Sequence, residues 1–158
     1  MKADLLVQGQ GMGEAEKAEF LEEFEKERSH SLAAFCVMGG VFSEGIDLKE
    51  ERLIGVIVVG TGLPMVCVEQ EVLKGYFDET EEKGFDFSYQ YPGMNKVLQA
   101  AGRVIRTPED RGVILLLDDR FLRRDHLELF PREWEHFQVV NRGNAARCLE
   151  DFWNGREP

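Results

Sequence analysis

Apolar residues along the chain fall into two kinds of pattern. Short, nearly unbroken runs occur at Leu5-Leu6-Val7, Ser31 to Met38 (SLAAFCVM), Arg52 to Gly60 (RLIGVIVVG) and Gly112 to Leu117 (GVILLL). Apolar runs of this length bounded by glycine are strands, and their lack of polar alternation predicts strands covered on both faces. Between them lie segments rich in helix formers. Glu14 to Arg28 carries Phe20, Leu21 and Phe24 on one stripe, Glu69 to Lys83 is acidic and solvated, and Met94 to Arg106 is strongly amphipathic. Helical character returns at Asn144 to Trp153. Strands alternating with helices predict an α/β domain, a mostly parallel sheet with helices on both faces. No repeat, low-complexity tract or linker divides the chain, so residues 1–158 read as a single domain. The first strand begins almost at Met1, the arrangement of a fragment of a longer polypeptide.

Composition narrows the class further. Hydrophobic residues make up 43% and charged residues 31%, which excludes intrinsic disorder and a coiled coil. A formal charge of −11 argues against coating DNA by bulk attraction, but not against a local basic groove. Charge is in fact uneven: Glu14–Arg28 is dominated by glutamate, whereas Lys96–Arg124 is net basic. The apolar run through Ile54–Val68 is broken by Gly55, Gly60, Gly62 and Pro64, too short and too interrupted for the ~20 residues of a membrane helix. Cys36, Cys67 and Cys148 are odd in number and widely spaced, which predicts reduced thiols in a cytoplasmic protein, with Cys36 and Cys67 in the core. Neither they nor His30, His126 and His136 have metal-ligand spacing, so no metal site is expected.

Two segments carry candidate chemistry. Wound at helical pitch, Met94, Val97, Leu98, Ala101, Val104 and Ile105 fall within an arc of roughly 120°. Asn95, Gln99, Gly102, Arg103 and Arg106 fall opposite. A solvated polar face accounts for this pattern. So does an anion site, because Gly102 in a helix interior costs ~1 kcal/mol relative to Ala and invites a close approach. Arg103 and Arg106 also lack acidic partners four residues earlier, where Gln99 and Gly102 stand. The loop Gly39 to Asp47 (GGVFSEGID) follows a strand, where ligands of parallel sheets bind; a plain turn is the other reading.

Taken together, Ser43-Glu44-Gly45-Ile46-Asp47, then QAAGRVIR at 99–106, then Asp118-Asp119-Arg120-Phe121 resemble motif V, motif VI (QxxGRxxR) and the following strand end of superfamily 2 helicases of the DinG/XPD family. The likeness runs from about Leu5 to Trp134. It implies a RecA-like fold and the second, C-terminal motor of an ATP-dependent DNA helicase. ATP and Mg2+ would be bound mainly by the N-terminal motor of the same polypeptide, and single-stranded or forked DNA would be the track. An iron–sulfur cluster, if the full protein has one, would belong to that other part. Arg103 and Arg106 match the motif VI arginines that neutralise the γ-phosphate in the transition state, and Gln99 would orient the phosphate or the attacking water. Gly102 would permit close approach, Gly45 and Asp47 would shape the loop beside the nucleotide, and Ser43 and Glu44 would couple that site to DNA.

The sequence contains no Gly-Lys pair and therefore no phosphate-binding P-loop. Asp78-Glu79-Thr80-Glu81 imitates an acidic helicase box, but no apolar strand precedes it, and a solvated helix is expected there. Asp118 and Asp119 read as a strand end with a cap, and Arg120, Arg123 and Arg124 as either a phosphate-contacting cluster or a solvated basic turn. The alternative from a different class is a non-catalytic α/β module that docks an acidic protein partner through the polar helix face. On the helicase reading, this chain alone hydrolyses no ATP.

Overall fold

The chain opens with a βαβ unit in the computed structural model, which describes residues 2–40, 42, 53–105, 107 and 110–155. β1 (Ala3–Val7) and β2 (Ser31–Phe35) pair in parallel, Ala3 opposite Ser31 through Val7 opposite Phe35, and α1 (Glu14–Glu22) lies in the crossover. Parallel neighbours need such a crossover, because a tight turn returns the chain antiparallel. The Glu16 carboxylate starts α1 by accepting the Gly13 N–H at 2.8 Å. The helix stops at Glu22, short of the predicted Arg28. Arg28 folds back instead, its guanidinium donating to the Glu23 carbonyl and carboxylate and so satisfying acceptors that a helix end leaves open.

A second parallel pair follows. β3 (Gly55–Val59) runs beside β4 (Val113–Leu117), Gly55 opposite Val113 through Val59 opposite Leu117. Their crossover holds α2 (Val68–Glu81) and α3 (Tyr91–Ala101), with a π-helical segment Asp86–Gln90 running straight into α3. Beyond β4 come a 3-10 turn (Asp119–Leu122), α4 (Arg124–Leu127), a second 3-10 turn (Arg132–Trp134) and α5 (Ala145–Trp153). Each strand and helix expected from the sequence is present, and both pairs are parallel. Among the described residues the ladders form two separate pairs, β1–β2 and β3–β4. Apolar runs identify strands; they do not name a strand's neighbours.

The core gathers around α3. Val97 is fully buried, Met94 nearly so, and they form one buried cluster with Val58 of β3 and Phe121. Met38, Val56, Leu116 and Trp134 close around that cluster, so one helix fastens the loop after β2 to both β3 and β4. Burying each such side chain contributes roughly 1.5–3 kcal/mol. The loop after β3 is held backbone to backbone: a Cβ on Gly93 would lie 2.7 Å from the Thr61 carbonyl oxygen, and one on Gly62 (φ +69°) 2.6 Å from the Gly93 carbonyl oxygen. Two expectations about burial are corrected. Val58 is 3% exposed but its neighbours Ile57 and Val59 are 60% and 74% exposed, so β3 is covered on one face only. Cys36 is exposed and not in the core, because β2 ends at Phe35 and the chain turns before Met38 reaches inward. No helix among the described residues is long and apolar enough to cross a membrane.

Candidate functional site

The polar side of α3 is the candidate site, and its shape departs from the helical wheel. α3 ends at Ala101, with Gly102 as its C-cap at φ −65°, ψ −5°. The Gly102 N–H makes the last four-residue bond, to Leu98, at 2.8 Å. Arg103 and Val104 then donate to Ala100 and Ala101, three residues back, as the last turn tightens. Tertiary packing sets this end. Val104 is drawn into the core, 5% exposed, against Gly112, where a Cβ would lie 2.1 Å from the Val104 Cγ1 atom. Gly102 is therefore not a helix-interior glycine, and the continuous helix expected through Arg106 stops earlier.

Gln99 and Gly102 are exposed at this end, and Arg103 is half-buried. Arg103, which has no acid four residues earlier on the helix, nevertheless has an interaction partner within the folded chain, so it is not free as expected. Arg106, Ser43, Glu44, Gly45 and Asp47 lie outside the described residues. The structure thus brings Gln99, Gly102 and Arg103 together at the end of one helix. An amide, a guanidinium and a backbone bare of side chain suit phosphate oxygens. Among the described residues no group of three or more His, Cys, Asp or Glu could hold a metal ion.

The loop leaving β2 approaches the other flank of α3. Gln8, just past β1, donates its backbone N–H to the Phe35 carbonyl at 2.9 Å, and its side-chain oxygen accepts the Val37 N–H at 2.8 Å. The side chain thereby replaces the ladder bond that Val37 loses on leaving the strand. Gly40 donates to the Val37 carbonyl at 3.0 Å, closing a turn too tight for any Cβ, which would sit 2.9 Å from that oxygen. Lys96 of α3 lies over Gly39. Neither Gln8 nor Lys96 belongs to a motif of the sequence. Gln8 shows as a polar residue between an apolar triplet and a glycine. Lys96 shows as a helical lysine with Pro92 and Ala100 four residues away and no acid to pair with.

At the end of β4, Asp118 caps the 3-10 turn, accepting the Arg120 N–H at 3.0 Å while its carboxylate pairs with the Arg120 guanidinium at 2.7 and 2.9 Å. Hydrogen bonding from Arg120 holds the Asp118 carboxyl down at about 2. The cap expected here is present, and Arg120 is committed to it. Arg124 is paired with Glu128 at 2.7 Å. Asp78 and Glu79 lie on α2, exposed as expected, with Asp78 bonded to Lys74 and to the Gly84 N–H. Between the end of α3, β4 and residues 130–140 opens an apolar cavity of about 720 Å³, lined by Leu98, Ile105, Phe130 and Trp134 among others. Its lining is wrong for a phosphate.

Residues 1–137 match the profile of the helicase C-terminal domain. The chain belongs to that family, among helicases of the DinG/XPD type. The regulator of telomere elongation helicase 1 homolog of Caenorhabditis elegans is 33% identical over 128 residues, covering 75% of this chain and 13% of that protein. The ATP-dependent DNA helicase YoaA of Haemophilus influenzae is 33% identical over 121 residues, 75% of this chain and 18% of that one. A probable ATP-dependent helicase of Methanocaldococcus jannaschii is 30% identical over 159 residues, 92% and 23%. Among solved structures an XPD helicase superposes with a TM-score of 0.60 at 20% identity, over 78% of this chain and 22% of that one, which shows the α/β fold with parallel strands. The chain spans less than a quarter of each of these proteins.

Proposed function

We propose that this helicase C-terminal domain is the second motor of a longer, cytoplasmic, ATP-dependent DNA helicase that moves along single-stranded DNA. The observation that carries the reading is the family match over residues 1–137, which takes in both α3 and the loop after β2. Three relatives named as helicases extend far beyond the segment they share with this chain, and a partner motor has room in that remainder. ATP with Mg2+, when bound, would close the cleft between the two motors, and hydrolysis would transfer its γ-phosphoryl group to water, leaving ADP and phosphate. The P-loop and metal ligands come from the partner motor, since this sequence has no Gly-Lys pair.

The residues here act on the developing charge. Charge spreads over the phosphoryl oxygens in the transition state, and fixed guanidinium groups at Arg103 and Arg106 neutralise it. Gln99 orients the phosphate or water, and bare backbone at Gly102 lets the helix end come close. Gly45 and Asp47 would shape the surroundings of the nucleotide, and Ser43 and Glu44 would couple that site to the DNA backbone. Rigidity supports the reading: α3 is clamped by Val97 and Met94, so Gln99 on it and Arg103 just beyond its end need little reorganisation at the moment of reaction. In the full-length helicase, Arg103→Ala and Arg106→Ala are each expected to lower DNA-stimulated ATP turnover by ~10³. Wild-type turnover in both variants overturns the assignment.

A further inference from the structure

We infer that Lys96 is a phosphate-binding residue of this site, an assignment that rests on the helicase reading and extends it. Lys96 is half-buried on α3, one turn before Gln99, and among the described residues its side chain makes neither a hydrogen bond nor an ion pair. By contrast, Lys17, Lys26, Lys74, Arg120 and Arg124 are paired with carboxylates. Its stem lies along the loop after β2: a Cβ on Gly39 would stand 3.2 Å from Lys96 Cδ and Cε and 3.7 Å from Nζ. Gly39 has φ +77° and bears no side chain, and the lysine occupies the space a side chain would need.

A half-buried lysine with its stem packed and no carboxylate partner leaves its charge available to an anion. Lys96 stands where the helix bearing Gln99 meets a loop leaving the carboxyl end of a parallel strand, the end at which sheets of this class take ligands. The two anchors of that position are firm. Val97, next in sequence, is fully buried, and the loop is tied down by Gln8 and by the Gly40 turn. A single mobile cation on such a base binds a phosphate as a point charge. That phosphate comes either from the DNA backbone or from the nucleotide.

The test uses Lys96→Met, which keeps the packed stem and removes the charge, with Lys96→Gln as a second uncharged variant and Lys96→Arg as the charge-keeping control. In the full-length helicase, binding of oligo-thymidylate without nucleotide is measured across salt concentrations, and KM for ATP is measured at saturating oligo-thymidylate. If the phosphate is DNA's, the uncharged variants bind about tenfold more weakly, the log–log salt slope falls by about 0.7, and Lys96→Arg restores much of both. If it is the nucleotide's, KM for ATP rises about tenfold with DNA affinity intact. Either result supports the assignment. Folded variants that leave both measurements unchanged overturn it. A wild-type protein with neither DNA binding nor ATPase instead overturns the helicase reading, and the assignment with it.

Discussion

A single residue separates what this fold needs from what its chemistry needs. Gly102 lies at φ −65°, a conformation open to every residue, and a Cβ there would meet only the Leu98 carbonyl oxygen at 3.3 Å and the Gln99 carbonyl oxygen at 3.8 Å. Among the described residues, nothing in the packing requires glycine. Gly102→Ala is therefore expected to change folding stability by no more than about 0.5 kcal/mol in urea titrations. If the proposed close approach to a phosphate holds, the same change in the full-length helicase should lower ATP turnover by ~10², because a methyl group would displace the helix end. A variant as active as wild type removes the close-approach role. The glycine was legible in the sequence as an anomaly, though for the wrong reason: it reads as a helix-interior residue and is in fact a cap. Arg103 was legible by motif but not by environment, since a wheel reports which side a residue faces and not what folds over it.

The helices show where periodicity stops being informative. The apolar stripe of α3 was plain, and Met94, Val97 and Ala101 are all buried as it required. The stop at Ala101 was not plain, because it depends on Val104 meeting Gly112 just ahead of the next strand, a contact that helical periodicity does not report. Nor does any local signal announce that Gly62 and Gly93 cross, yet that crossing seats the first turn of α3. Gly93→Ala is expected to destabilise the domain by about 3 kcal/mol, since the obstructing atoms are backbone and cannot rotate aside. Gly75→Ala provides the contrast. Gly75 lies within α2, is exposed, and a Cβ there would meet nothing within 4 Å, so alanine should stabilise by about 0.5–1 kcal/mol. Thermal or urea melts of the two variants decide the matter. Equal effects at the two positions would mean that the loop after β3 is not seated on α3.

At the scale of the whole molecule, class and order of elements came from the sequence, whereas the covering of the sheets did not. Long apolar runs such as GVIVV predict a doubly covered strand, but they cannot say whether the second layer comes from the same chain, and here Ile57 and Val59 stand open. The same division applies to the chemistry. Among the described residues the domain presents an amide and a guanidinium at the end of α3, groups that stabilise charge on a phosphate without generating a nucleophile or holding a metal. Phosphoryl transfer needs in addition a cradle for the β- and γ-phosphates and ligands for Mg2+, and a sequence lacking Gly-Lys offers no such cradle. The isolated 158-residue chain is accordingly expected to hydrolyse ATP no faster than buffer, with or without oligo-thymidylate. Joined to the partner motor it should turn over at ~1–100 s⁻¹, within the range common for phosphoryl-transfer enzymes. The measurement is phosphate release from the purified chain at high protein concentration, with an Arg103→Ala chain beside it as the control for contaminating ATPase. Turnover in the wild-type chain that the arginine variant lacks would show a complete active site within this one domain, and the division of labour between two motors would be wrong.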